Sequence, residues 1–172
     1  MNRSPHFVPS PSNPYVLEIF FTQISHDDIQ SIQDALKQTY GDILEIKIAG
    51  ELEPPHQTYN KQRGQYNADP LLRYLLAQKK KEIAIWVLPQ DLYTRNMNFI
   101  FGFAFYFQGA VLSLCRLSTK ELRGKEAIHE IGHILGLTHC TNNCVMQYSN
   151  SLWEAQRKPL LLCNHCKKTL NI

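Results

Sequence analysis

The first half of the chain switches between a hydrophobic pattern typical of strands and one typical of amphipathic helices. Residues 16–24 are mostly aliphatic, β-branched or aromatic and predict a strand. Ser25 and Asp28 resemble a capping box with Asp in place of the usual Glu, and apolar residues then recur at helical spacing as far as Gly41. The alternating stretch 43–49 predicts a second strand. This β-α-β unit favours parallel pairing through a right-handed crossover.

The middle of the chain continues with a loop, a helix and a strand. Residues 50–67 are polar and predict a long loop. Asp69 and Pro70 predict the start of a helix, with Asp as the cap and Pro at the first helical position. The nearly continuous apolar run 82–88 predicts a buried strand, and residues 89–98 predict another loop.

Two more strands are predicted in the aromatic part of the chain. Residues 99–107 read FIFGFAFYF and residues 110–117 are also mainly apolar. The connection between them is too short for a helical crossover, so these strands would pair antiparallel if they are adjacent. If the aromatic strand lies at an edge of the sheet, an extended peptide can add to it as a further strand.

The chain ends in a helical region that completes one domain. Ser118 or Thr119 caps a helix that runs to about Leu135, and Ser151 with Glu154 begins a shorter one. The prediction is a compact single α/β (α+β) domain over residues 15–172, with a mixed, mostly parallel sheet that contains one antiparallel strand. Residues 1–14 are rich in proline and serine and are predicted to be a disordered tail.

Composition narrows the class of protein further. A chain of 172 residues with 44% hydrophobic and 19% charged residues can form one domain with a sizeable core. A net charge of +3 is too small to indicate nucleic-acid binding, and no apolar run is long enough to span a membrane. Five cysteines, an odd number, and no visible signal peptide favour a reducing, cytoplasmic location for what we expect to be a monomer. Cys115 is expected to be a small buried side chain in a strand.

The strongest chemical signal is the sequence HEIGHILGLTH, which has the pattern H-E-x-x-H-x-x-G-x-x-H over residues 129–139. His129 and His133 are four residues apart on a helix, so both imidazoles face one side and can bind the same metal ion. Gly136 can end the helix, so that the chain returns His139 as a third ligand. Three nitrogen ligands leave one tetrahedral position open, as in a catalytic zinc site, and Glu130 is placed to act on the metal-bound water. A buried amphipathic helix without metal is the alternative, but its polar residues would all need buried partners.

Four cysteines downstream form a second candidate metal site. They are spaced C-x3-C and C-x2-C, and they are Cys140, Cys144, Cys163 and Cys166. Four thiolates make a closed tetrahedral zinc site, which would be structural and would hold the C-terminal segment in place. Two disulfides are the alternative.

Together these motifs resemble the archaemetzincins, a branch of the metzincin zinc peptidases. The resemblance is sharpest over residues 126–166 and extends more weakly to residues 65–68, 101–102 and 110–117. It implies a metzincin-like fold, a catalytic zinc on the three histidines, Glu130 as general base, Met146 as the Met-turn, and a second zinc on the four cysteines. Three residues separate the first two cysteines where the family has four, and sixteen rather than seventeen separate Met146 from Cys163. Phe103 stands where the family has an acidic residue.

The sequence therefore predicts a zinc peptidase with two zinc ions per chain that acts on peptides or proteins. Tyr148 is a candidate to stabilise the oxyanion, and the alternative for it is a core aromatic residue. An alternative function is a zinc-stabilised module that binds peptides with little or no turnover. Hydrolysis of a non-peptide amide at the same metal is a further alternative.

Overall fold

A computed structural model describes residue 10 and residues 12–172 of the chain. The central sheet has five strands, and their order across the sheet is β2-β1-β5-β9-β8. The bounds of these strands are β1 Tyr15–Phe21, β2 Leu44–Glu51, β5 Ile83–Leu88, β8 Gly102–Phe105 and β9 Gly109–Ser113. Four strands are parallel, and β8 runs antiparallel to β9 at one edge. The predicted mixed sheet with one antiparallel strand is confirmed.

Helices cover both faces of this sheet. They are α1 His26–Tyr40, α2 Ala68–Gln78, α3 Lys120–Ile134, α4 Leu152–Arg157 and α5 Asn164–Leu170. Side chains of a strand alternate between faces, so β5 sends Ile85 towards α1 and α3 and Trp86 towards α2. The sheet is therefore buried on both sides, as the uninterrupted apolar sequence of β5 predicted.

Three of the predicted helix starts agree with the observed caps. Ser25 Oγ accepts a hydrogen bond from the Asp28 N–H at 3.1 Å, and Thr119 and Ser151 cap α3 and α4 in the same way. The start of α2 was predicted wrongly, because Asn67 rather than Asp69 is its cap. Asp69 lies in the first turn instead and forms an ion pair with Arg73.

A second, four-stranded sheet lies mostly where the sequence predicted loops. Its strands are β3 Tyr59–Asn60, β4 Gln65–Asn67, β6 Leu92–Thr94 and β7 Met97–Ile100, in the order β3-β4-β6-β7. These strands are too short and polar to give a periodic pattern. Side chains support them, since Gln65 Nε2 donates to Asp91 Oδ2 at 2.9 Å and Arg63 donates to the carbonyls of Met97 and Asn98.

The aromatic stretch 99–107 was predicted as one strand but forms parts of two. Its first residues belong to β7 of the second sheet, and β8 belongs to the central sheet. A run of alternating aromatics satisfies both sheets, so its pattern could not reveal the change of partner at Phe101. The prediction also missed α5, which has only seven residues and begins directly after Cys163. Cys115 is exposed, contrary to the prediction that it is buried.

The predicted tail, residues 1–14, lies largely outside the described residues. No helix in the described part of the chain is both long enough and apolar enough to cross a membrane.

Helix α1 holds α3 in place through a buried hydrogen bond. Tyr40 is 1% exposed, and its hydroxyl donates to the Ile128 carbonyl at 2.5 Å, one residue before His129. Burial raises the pKa of Tyr40 well above its usual value, so the phenol stays protonated and able to donate.

Replacing Tyr40 with Phe should lower the free energy of unfolding by about 1–2 kcal/mol, because a buried hydrogen bond is lost with little change in shape. Urea unfolding measures this difference. The matched control is Tyr59→Phe, since Tyr59 is 40% exposed, and it should change stability by less than about 0.5 kcal/mol. Equal effects of the two substitutions would contradict the role given to Tyr40.

Candidate metal centres and cleft

Helix α3 and the turn after it bring the three predicted histidines together. His129, His133 and His139 place their candidate ligand nitrogens within 4.8 Å of one another. The helix ends at Ile134, and Gly136 has φ +95°, which reverses the chain so that His139 faces the helix. The ring centroids of His129 and His133 lie 5.4 and 4.8 Å from that of His139.

Backbone carbonyls fix the orientation of two of these rings. His129 Nδ1 lies 3.0 Å from the Val145 carbonyl oxygen, and His133 Nδ1 lies 2.8 Å from that of Leu137. A carbonyl can only accept, so each Nδ1 carries the proton and each Nε2 keeps a free lone pair. The two Nε2 atoms are 3.1 Å apart. Two lone pairs at this distance repel each other unless a cation lies between them.

This donor set fits a tetrahedral zinc ion. Two nitrogens bound to one zinc at about 2.0–2.1 Å lie roughly 3.3 Å apart, close to the observed separation. Burial lowers the pKa of all three histidines below the usual 6.5, and the nearby Lys158 acts in the same direction. The imidazoles are therefore neutral at neutral pH, which is the form that binds metal.

Glu130 is held beside the histidines by close packing against β8. Its side chain is buried, and a Cβ atom added to Gly102 would lie only 2.4 Å from the Glu130 Cδ atom. Only glycine therefore permits this approach. Burial, with a smaller contribution from Glu126, raises the pKa of Glu130 to about 8, whereas Lys158 acts in the opposite direction. A divalent cation on the histidines would lower this pKa again.

Met146 lies directly beneath α3. It is fully buried, and a Cβ atom added to Gly132 would lie 2.4 Å from the Met146 Sδ atom. The Met146 carbonyl accepts a hydrogen bond from the Cys140 N–H at 2.9 Å. Met146 thus forms an apolar floor under the histidine helix and joins it to the segment that carries the cysteines.

The four predicted cysteine ligands also converge. Their sulfur atoms all lie within 4.8 Å of one another, with 3.8 Å between Cys140 and Cys163 and 3.7 Å between Cys144 and Cys166. A disulfide needs about 2.05 Å, so these are free thiols. Two sulfurs on one tetrahedral zinc at about 2.3 Å lie roughly 3.8 Å apart, which matches both separations.

The Cys163 thiol of this cluster ionises at a lower pH than an ordinary cysteine, because its pKa is lowered. A hydrogen bond from the Cys166 backbone N–H lowers the pKa of the Cys163 thiol to about 6, with a smaller contribution from the Asn142 amide. The thiolate is the form of cysteine that binds metal. The loop between Cys140 and Cys144 has only three residues, and the four sulfur atoms still converge. His165, between Cys163 and Cys166, is exposed on α5 and lies outside this group of ligands.

The three histidines line a cleft with a volume of about 310 Å³. One wall is formed by residues 99–104 and Tyr106, and the other by α3 and residues 148–150. Phe103 makes part of the strand wall apolar. Tyr148 is 52% exposed, and its ring lies edge-on to His139 with 5.0 Å between centroids. Tyr148 is therefore a residue of the cleft and not of the core.

The cleft also contains residues that the sequence did not single out. Glu126, Ser149 and Lys158 line it, and Lys158 Nζ lies 2.8 Å from Glu126 Oε1. Glu126 could have been found, because it lies four residues before Glu130 and so shares its helix face. Lys158 follows α4 at a position where no spacing or motif marks it.

Known proteins with similar sequences and structures place these features in a family. The sequence pattern of peptidase family M54 matches residues 31–172. An archaemetzincin of Nanoarchaeum equitans is 41% identical over 130 residues, which cover 75% of this chain and 76% of that protein. The crystal structure of the Archaeoglobus fulgidus archaemetzincin, complexed with malonate, superimposes with a TM-score of 0.81 at 34% identity, covering 89% of this chain and 98% of that one. The Methanopyrus kandleri archaemetzincin gives a TM-score of 0.84 at 31% identity, covering 92% and 94%. The chain therefore belongs to peptidase family M54, the archaemetzincins, and is a zinc metallopeptidase.

Proposed function

We propose that the chain hydrolyses peptide bonds in this cleft, with a zinc ion held by His129, His133 and His139 and with Glu130 as the general base. The observation that carries this proposal is the position of Glu130. Its carboxylate is buried in the wall of the cleft beside three convergent imidazoles, where a site that only binds metal has no need of it. A second, structural zinc is proposed to bind the four cysteines, Cys140, Cys144, Cys163 and Cys166.

The catalytic roles follow from the chemistry of each side chain. When bound, zinc supplies a Lewis acid that lowers the pKa of water and polarises a carbonyl. Glu130 accepts the proton of the attacking water and passes it to the leaving amine. The Tyr148 phenol, at the mouth of the cleft beside His139, is proposed to donate a hydrogen bond to the developing oxyanion. Met146 is fully buried and supports the histidine helix from below.

The substrate is proposed to be an extended peptide or protein segment that adds to the central sheet. Strand β8 pairs with β9 on one side only, and it is an edge strand within the described part of the chain. Residues of β8 line the same cleft as the histidines. Its unpaired backbone groups can therefore bind a peptide as an added strand, while Phe103 offers an apolar contact.

Replacing Glu130 with Gln should keep the zinc but reduce peptide hydrolysis by a factor of about 100 or more, because an amide cannot accept the proton. The measurement is cleavage of a peptide library together with zinc content by mass spectrometry. Glu121→Gln is the matched control, since Glu121 lies on the same helix and its side chain is 66% exposed. Full cleavage by the Glu130 variant would refute the mechanism. Binding of peptides without cleavage by the zinc-loaded wild type would favour a peptide-binding module instead.

Replacing Gly102 with Ala should reduce peptide hydrolysis about as strongly as replacing Glu130 with Gln does, while both metal sites stay filled. The added methyl group would lie 2.4 Å from Glu130 Cδ, so the carboxylate must move away from its position. Gly64→Ala serves as the control, because Gly64 has open space around its Cα atom. Gly64 has a positive φ, so this control is expected to lose some stability but no activity. Unchanged activity in the Gly102 variant would show that Glu130 does not require this contact.

Replacing Cys163 with Ser should lower the zinc content from two ions per chain to one. It should also weaken the remaining site, because Cys140 directly follows His139 and binds the second ion. Zinc content after dialysis, and competition with a chelator for the retained ion, measure the two effects. Cys115→Ser is the control, since Cys115 is exposed and outside the cluster. A single zinc in the wild type would remove the cysteine site from the proposal, and an unchanged chelator profile would refute the coupling.

A further inference from the structure

The cleft contains an ion pair that the proposed hydrolysis does not use. Lys158 and Glu126 have side chains that are only 1% and 3% exposed, and both residues line the cleft beside Glu130. Removing two charges from water is costly, and a buried pair of this kind seldom adds net stability. Its position beside the metal ligands therefore calls for a functional explanation.

The pair is incompletely satisfied. Lys158 Nζ and Glu126 Oε1 are 2.8 Å apart, and neither atom has a further hydrogen-bond partner within the described residues. The Ser149 hydroxyl, which lines the same cleft, is buried and also lacks a partner there. An ammonium group carries three N–H donors, and one carboxylate oxygen can accept at most one of them in good geometry. Donors are therefore in excess at this point of the cleft.

The backbone holds Lys158 firmly at this position. Lys158 caps the C-terminal end of α4, and its N–H donates to the Glu154 carbonyl at 3.1 Å. Helix α4 is in turn tied to α3, because Lys125 Nζ donates to the Gln156 carbonyl at 3.1 Å. The Lys158 side chain is itself buried and paired with Glu126, so its ammonium group needs little reorganisation to receive a ligand, which favours binding.

We propose that Lys158, together with Ser149, binds a carboxylate group of the substrate beside the metal site. This inference rests on the proposed peptidase function, because it names the substrate group that binds at the polar end of the same cleft. A carboxylate offers two acceptor oxygens for the donors left free by Glu126, and charge-assisted hydrogen bonds are the strong ones in a buried site. The carboxylate is either the C-terminus of a peptide, which would make the enzyme act near chain ends, or an Asp or Glu side chain.

The test uses three zinc-chelating hydroxamates of the same length and measures their affinity for the zinc-loaded protein by calorimetry. The first ends in alanine with a free C-terminal carboxylate, the second in alanine amide, and the third in aspartic acid amide. At least one of the two acids should bind about tenfold or more tightly than alanine amide. A preference for the first compound identifies the C-terminus as the source, and a preference for the third identifies an acidic side chain.

Replacing Lys158 with Met should abolish this preference while the protein retains both zinc ions. Lys168→Met is the matched control, since Lys168 is exposed on α5, and it should keep the preference. Lys158→Met leaves Glu126 buried without its partner, so a double variant, Glu126→Gln with Lys158→Met, provides the same test without the unpaired charge. Ser149→Ala keeps the ion pair intact and should reduce the preference several-fold.

Two results would overturn the inference. Equal binding of acids and amide by the wild type would leave Lys158 and Glu126 as a structural ion pair only. A preference that survives in both Lys158 variants would place the carboxylate elsewhere in the cleft. Failure of the peptidase proposal gives a different pattern, namely carboxylate-dependent binding of the hydroxamates without any peptide cleavage.

Discussion

The close packing of α3 against its two neighbours is the constraint on which the site depends. On one side, Gly102 of β8 allows the Glu130 carboxylate to lie against the strand backbone. On the other, Gly132 allows the Met146 thioether to pack beneath the helix. The first contact fixes the base relative to the strand proposed to bind substrate, and the second fixes the helix relative to the segment that follows it. A side chain at either glycine would separate these parts by more than the site tolerates.

Sequence predicted most of the central sheet and the two clusters of candidate metal ligands, for a physical reason that applies to both. The βαβ pattern and the histidine spacing are local, and each depends on the geometry of a single helix or strand. The four cysteines were found because their short spacings, C-x3-C and C-x2-C, are typical of a thiolate metal site. The caps at Ser25, Thr119 and Ser151 were equally local and agreed with the structure.

The errors concern contacts between segments that are distant in sequence. The second sheet joins β3 and β4 to β6 and β7, and its support comes from side chains such as Gln65 and Asp91, 26 residues apart. The aromatic stretch satisfied either sheet, so its division between β7 and β8 could not be read from alternation. Lys158 was missed for the same reason, because its burial depends on how α4 meets α3 and has no counterpart in a local pattern.

The segment 140–146 links the histidine cluster to the cysteine cluster. It supplies two of the four thiolates, Cys140 and Cys144, and also the Met146 side chain beneath α3. The Val145 carbonyl, in the same segment, accepts the hydrogen bond that orients the His129 ring. Residues 141–143 of this segment are exposed, whereas residues 144–146 are buried in the core. An ion on the four sulfurs would hold both parts of the segment in one conformation and so help to fix the direction of the His129 ring. The cysteine cluster is thus placed to support the histidine cluster from outside.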